Sequence, residues 1–121
     1  MPKVKPDDIC QVRCFNDELV VHVLDVMPMD ETFEEAKTLF TALADKSRLK
    51  ILHALKDRQE LCVCDIAEVL GVQVSVASHH LRKLRDLKVL KYRNDGKLVY
   101  YSLRDQFVGE ILDLVLQKIV Q

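Results

Sequence analysis

Between Glu60 and Leu87 the chain reads ELCVCDIAEVLGVQVSVASHHLRKLRDL, and this stretch limits the available folds more than any other. Ile66, Ala67, Val69 and Leu70 recur at helical spacing, Gly71 interrupts them, and a second helical pattern follows. In that second pattern Val76, Ala77, Leu81 and Leu84 fit an inward side, while Ser75, Ser78, His79 and Arg82 share an outward one. Two short helices joined at a glycine predict a helix-turn-helix, whose second helix, starting near Gln73 or Val74, is shaped to enter the major groove. Cys62 and Cys64 stand immediately ahead of the pair.

The flanking segments supply a base and a wing. Asp30 is placed to cap a helix reaching about Ala44, with Phe33, Ala36, Phe40 and Leu43 as a buried stripe and Leu39 beside it. Ser47 is the expected cap of a second helix that carries Leu49, Ile51, Leu52 and Leu55 and ends near Asp57. Upstream, Leu19 to Met27 reads as a short helix closed by Pro28. After the helix-turn-helix the period shortens to two, and Val89, Leu90, Tyr92 and Leu98 to Leu103 flank Asn94-Asp95-Gly96, whose Asp-Gly pair signals a hairpin turn. Asp105 then caps a C-terminal helix with Val108, Ile111, Leu112, Val115 and Ile119 at helical spacing, widened by Phe107, Leu114 and Leu116. The expected fold is therefore mainly α with a β-hairpin wing, a winged helix-turn-helix. So wide an apolar stripe on a terminal helix predicts a homodimer through this helix together with the helix at 31–44. Residues 1–17 are expected to be a flexible, cysteine-containing N-terminal arm, and 18–121 a DNA-binding and dimerisation domain.

A chain of 121 residues, 49% apolar and 31% charged, can bury one modest core. The segment MPKVKPDDIC lacks the apolar run of a signal peptide, and no stretch approaches the ~20 apolar residues of a membrane span, so a cytoplasmic location and no membrane partner are expected. The net charge of -1 conceals an asymmetry: residues 1–45 hold 4 basic and 10 acidic residues, whereas 78–104 hold 8 basic and 2 acidic, a local charge of +6. A basic segment in a near-neutral protein fits one face that meets phosphates, or a solvated charged face. In a reducing compartment four cysteines point to metal ligation or redox chemistry rather than structural bridges. No C-x-x-C within a βαβ pattern and no recognisable Ser/His/Asp set supports an enzyme, which leaves a thiol oxidoreductase using C-x-C as the reading from another class and a structural zinc protein as a third.

From about Leu39 to Leu103 the chain resembles the ArsR/SmtB family of bacterial metal-responsive repressors, through FTALADKSRLKILHAL, ELCVCDIAEVLGV, SVASHHLRKLRDLKVL and the wing YRNDGKLVYYSL. The ELCVCD box and the SHHLR run are its most specific pieces, and with Cys10 and Cys14 they resemble the CadC-type branch, whose members sense cadmium, lead and zinc through thiolates. The resemblance implies an apo dimer that holds an inverted-repeat operator in double-stranded DNA and leaves it on binding Cd(II), Pb(II) or Zn(II), releasing efflux or resistance genes. It further implies that Cys10 and Cys14 of one subunit join Cys62 and Cys64 of the other.

The residues agree with a thiolate site. Sulfur ligands favour soft or borderline ions over Mg or Ca. Within one helix Cys62 and Cys64 would point roughly 200° apart, so both can face one ion only if Cys62 lies at or before the helix start. The competing readings are buried or incidental thiols and a redox sensor that releases DNA on forming a reversible disulfide. Some relatives carry a second site on the C-terminal helix, made of an Asp, two His and a Glu. Here Asp105 stands at its start, but Phe107, Lys118 and Gln121 occupy the neighbourhood of the other ligands, so that site is expected to be absent. His22 is a lesser candidate for a nitrogen ligand, and His53 is expected to pack or face solvent.

For DNA, Ser75, Ser78, His79 and Arg82 are the expected base-reading residues. Lys83, Arg85, Lys91, Arg93 and Lys97 are the expected phosphate contacts. His80 fits either a packing or a DNA-contacting role.

Overall fold

The computed structural model describes residues 11, 12, 14 and 16–120. Cys10 and most of the expected arm therefore lie outside the described residues. The chain divides into two compact units, Met1–Phe33 and Glu34–Gln121.

The first unit contains α1 (Asp17–Val26). Asn16 opens it, its side-chain oxygen accepting the Leu19 N–H at 3.0 Å, and acidic Asp17 and Glu18 lie in the first turn, where they complement the helix dipole. Met27 ends it in an extended conformation ahead of Pro28. No residue of α1 is buried, although Leu19, Val20, Val21, Val23, Leu24 and Val26 make it strongly apolar.

α2 (Asp30–Leu43) begins with Asp30 and Glu31 inside its first turn, so Asp30 is a first-turn residue rather than the cap. Its apolar positions do not form one buried stripe. Ala42 is buried and Leu39 and Leu43 pack on the core, whereas Phe33 is 48% and Phe40 62% exposed. The two phenylalanines sit seven residues apart on a common side of the helix, turned away from the side that carries Leu39 and Ala42.

α3 (Lys46–Leu55) is capped by Asp45, whose carboxylate accepts the Arg48 N–H at 3.0 Å; the expected cap, Ser47, is already inside the helix. That hydrogen bond is the main reason the Asp45 carboxyl titrates below the usual carboxylate range. Ile51, Leu52 and Leu55 are fully buried. β1 (Leu61–Cys62) follows, and α4 (Val63–Leu70) begins directly after it. α4 ends at Gly71, whose φ of 68° is the left-handed conformation that glycine tolerates without strain, and the Val72 N–H closes back on the Ala67 carbonyl at 3.1 Å. α5 (Val74–Asp86) begins after Gln73, which gives it no side-chain cap.

The strands β2 (Leu90–Asp95) and β3 (Leu98–Leu103) form the hairpin. Asp95 pairs with Leu98, so the connection is Gly96-Lys97, one residue later than the Asp-Gly pair suggests. Gly96 takes the positive φ, 61°, at the first central position, where a type II′ turn requires it. β1 adds a third antiparallel strand in the order β1-β3-β2, with Leu61 opposite Tyr101 and Cys62 opposite Tyr100. This short strand leaves no period in the sequence and was not expected from it. α6 (Phe107–Val120) closes the unit; Asp105 accepts the Phe107 N–H at 2.9 Å, and Gly109 lets the helix approach Lys56 and Leu103, where a Cβ would come within 3.2 and 3.3 Å of their side chains.

The core of the second unit draws on every one of its longer elements, with Ile51, Leu52, Leu55, Ile66, Leu81, Leu84 and Leu90 essentially inaccessible and Val108 and Leu112 brought from α6. Among the described residues no polar or charged residue is buried. Each large apolar side chain contributes about 1.5–3 kcal/mol by leaving water. Ile51→Ala is expected to cost about 2–5 kcal/mol, because rigid neighbours on α4, α5 and α6 cannot collapse into the space; urea unfolding should show a lower midpoint at an unchanged m-value.

Candidate functional site

Cys62 is the last residue of β1 and the N-cap of α4, in an extended conformation (φ -81°, ψ 165°). Cys64 lies in the first turn. The condition for both sulfurs to face one ion is met, since Cys62 stands before the helix rather than in it. The Cys62 thiol is half-buried and donates to the Asp65 carboxylate at 3.2 Å, while Cys64 is exposed. Asp65 is a functional candidate that the sequence reading passed over; only its three-residue spacing from Cys62 at a helix start signals the contact. α4 has no side-chain cap, so the orphan N–H groups of its first turn remain available.

Cys14 is described and exposed, while Cys10 lies outside the described residues. Among the described residues no group of three or more His, Cys, Asp or Glu side chains is arranged to hold a metal. The chemistry of the local donor pair, the Cys62 and Cys64 thiols at one strand-helix junction, fits a soft or borderline cation, but it needs further ligands from another segment to complete a tetrahedral shell. His22 lies exposed on α1 and His53 exposed on α3. Asp105 spends a carboxylate oxygen on the start of α6, where Phe107 is 54% exposed.

α5 presents Ser75, His79, Arg82 and Lys83 to solvent, with Ser78 half-buried. Ala77, Leu81 and Leu84 anchor the opposite side in the core. Val76, expected to point inward, is 42% exposed, and Val74 and Val72 are exposed beside it, so the N-terminal end of the helix offers methyl groups as well as hydroxyls. His80 turns the other way: its side chain is largely covered and its Nδ1 lies 4.0 Å from the Asp45 carboxylate, which ties α5 to the start of α3.

The basic residues differ in their engagements. Among the described residues Arg82, Lys83, Lys91 and Lys97 form no ion pair, and all four are exposed. Arg85 pairs with Asp86 at 3.2 Å and lies over the Tyr92 ring at 5.5 Å. Arg93 is held in a bidentate grip by Glu60, at 2.7 and 2.8 Å, and stacks over Tyr100 at 4.7 Å. That grip is the main reason the Glu60 carboxyl titrates below its ordinary range and the Arg93 guanidinium above its own. Glu60 is the second residue that the sequence alone did not single out, since its partner is 33 positions away.

The profile of the family described as "Bacterial regulatory protein, arsR family" matches residues 45–92. The chain is 40% identical over 106 residues to a "Cadmium resistance transcriptional regulatory protein CadC homolog" of Staphylococcus aureus, covering 88% of this chain and 87% of that protein. Among solved structures it is similar to the AntR antimony-specific transcriptional repressor, with a TM-score of 0.70 at 28% identity over 98% of this chain and 95% of that one. It also matches the homodimeric winged helix-turn-helix domain Mb0332 from Mycobacterium bovis, with a TM-score of 0.66 at 26% identity over 76% and 87% of the two chains.

Proposed function

The chain belongs to the ArsR/SmtB family of metal-responsive, DNA-binding transcriptional repressors and is not an enzyme, and from that premise we propose that it is a cytoplasmic sensor of Cd(II), Pb(II) or Zn(II). In this reading the metal-free homodimer holds an inverted-repeat operator and is released when the ion binds Cys62 and Cys64 together with Cys10 and Cys14 of the other subunit. The observation that carries it is the placement of Cys62 as an extended N-cap directly ahead of the helix-turn-helix. A thiolate pair there can draw in a soft ion without either sulfur leaving the secondary structure that positions the reading helix. When bound, the ion supplies a fixed charge and a cross-link; Cys62 and Cys64 orient it, and the Asp65 carboxylate gives up its present bond to the Cys62 thiol.

On the DNA side, Ser75, Ser78, His79 and Arg82 read base edges in the major groove, with Val74 and Val76 available to thymine methyl groups. Lys83, Lys91 and Lys97 meet phosphates, and Arg85 and Arg93 do so from positions steadied by Asp86 and Glu60. Dimerisation uses α6 and α2, whose exposed apolar residues include Phe40, Leu114, Val115 and Ile119.

The test is a titration of fully reduced protein with Cd(II) in the presence of a labelled inverted-repeat operator. Cd(II) is expected to weaken binding by roughly 5–150-fold, the range of typical allosteric coupling. Unchanged affinity would sink the sensor reading, and release that needs an oxidant would transfer it to a thiol redox switch. In the metal-free protein the logarithm of operator affinity should fall with the logarithm of salt at a slope of about -0.9 per phosphate contact, so several contacts per subunit give a steep line. A shallow slope would remove the lysines and arginines above from the phosphate contacts.

A further inference from the structure

Resting on the reading above, we propose that Glu60 is a positioning residue that couples the thiolate pair to the DNA-facing wing through its grip on Arg93.

The registers place the two ends of this link in one row. Cys62 of β1 lies opposite Tyr100 of β3, and Tyr100 lies opposite Arg93 of β2. Residues directly opposite one another in antiparallel strands project to the same face, and so do residues two apart along an extended segment. Glu60, Cys62, Tyr100 and Arg93 therefore share a face of the three-stranded sheet. On that face the Arg93 guanidinium lies over the Tyr100 ring at 4.7 Å, and both of its contacts to Glu60 are under 3 Å, 2.7 and 2.8 Å. The segment from Glu60 to Cys62 is thus fastened to the wing twice, by backbone pairing with β3 and by a bidentate side-chain bond that reaches past β3 to β2.

Two consequences follow. Drawing the Cys62 sulfur toward an ion displaces the end of β1, and the Glu60 carboxylate moves with it. Arg93, which cannot keep two short, planar hydrogen bonds unless it follows, carries that displacement into the strand that leads to Lys97 and the wing tip. The pair is also poorly explained as a source of stability, because 53% of the Arg93 and 35% of the Glu60 side chain is exposed and exposed ion pairs contribute little. Its geometry suits transmission.

The experiment compares wild type, Glu60→Gln, Arg93→Gln and the double variant, each fully reduced. Operator affinity is read by fluorescence anisotropy with and without Cd(II), and thiolate-to-Cd(II) absorbance reports metal loading separately. Glu60→Gln is expected to load Cd(II) with the same absorbance per chain, yet its ratio of operator Kd values with and without metal should fall at least about threefold below the wild-type ratio of roughly 5–150. Arg93→Gln should lower the ratio likewise, and the double variant should lower it no further, because each substitution breaks the same link. A wild-type ratio in Glu60→Gln, a further loss in the double variant, or loss of Cd(II) absorbance in Glu60→Gln would each overturn the proposal. If Cd(II) leaves even the wild type on its operator, the sensor reading fails and takes the link with it.

Discussion

Cys62→Ser is expected to abolish Cd(II)-driven release of the operator while leaving metal-free DNA binding intact. A thiolate site of four ligands that binds with about 10–16 kcal/mol loses about 2.5–4 kcal/mol when one sulfur is replaced by a hydroxyl that stays protonated, or ~10²–10³-fold in metal affinity. The same substitution should not weaken the fold. Cys62 occupies the N-cap of α4 without making a side-chain cap bond, and serine is among the best residues at that position. A competition titration against a chelator of known affinity, read alongside the melting temperature, separates the two effects. Metal affinity should collapse while the melting temperature holds or rises. Release of the Cys62→Ser variant at the wild-type Cd(II) concentration would show that the trigger lies elsewhere.

Ile119→Glu and Leu114→Glu are expected to convert the protein into a monomer at micromolar concentration and to weaken operator binding by at least about 100-fold. Ile119 is 72% and Leu114 69% exposed on α6. A symmetric interface counts every substitution twice, so losing the burial of one such side chain costs about 3–6 kcal/mol per dimer, before the cost of a desolvated carboxylate is added. A single subunit then grips one half of an inverted repeat. Sedimentation velocity gives the oligomeric state and anisotropy the affinity; a variant that stays dimeric would remove α6 from the interface.

The long periodic segments were legible in the sequence because burial writes a period into them. The core sides of α3 and α4, that of α5 apart from the exposed Val76, the αL glycine that separates the last two, and the wing after Lys88 all follow from spacing. What escaped was short or long-range. β1 has two residues, too few for any alternation, yet it fixes Cys62 in the sheet. The Glu60–Arg93 grip joins positions that only the register brings together. Asp45 outcompeted Ser47 as the cap of α3 because one residue's shift in helix start is invisible to an apolar pattern. Phe33 and Phe40 misled for a different reason. Their spacing marks one apolar side of the helix, without saying whether this chain buries it. The candidate sites divide in the same way, since the local pair Cys62 and Cys64 could be named from sequence, whereas the contact of Cys62 with Asp65 needed coordinates.

The interior of the second unit, which holds no buried charged or polar residue among those described, sets how freely this protein can be retuned. Apart from the largely covered His80 beside Asp45 and the buried Tyr101, the ionisable and metal-binding groups named above sit at a strand end, a helix terminus or an exposed face, while the apolar centre is indifferent to proton and ion concentration. Exchanging the donor atoms at Cys62 and Cys64 for another set, or recoding the outward side of α5 for another operator, therefore disturbs no desolvated polar network. One scaffold can be carried from one toxic ion to another, or from one promoter to another, by surface replacements alone, and such chimaeras should melt within a few degrees of the parent.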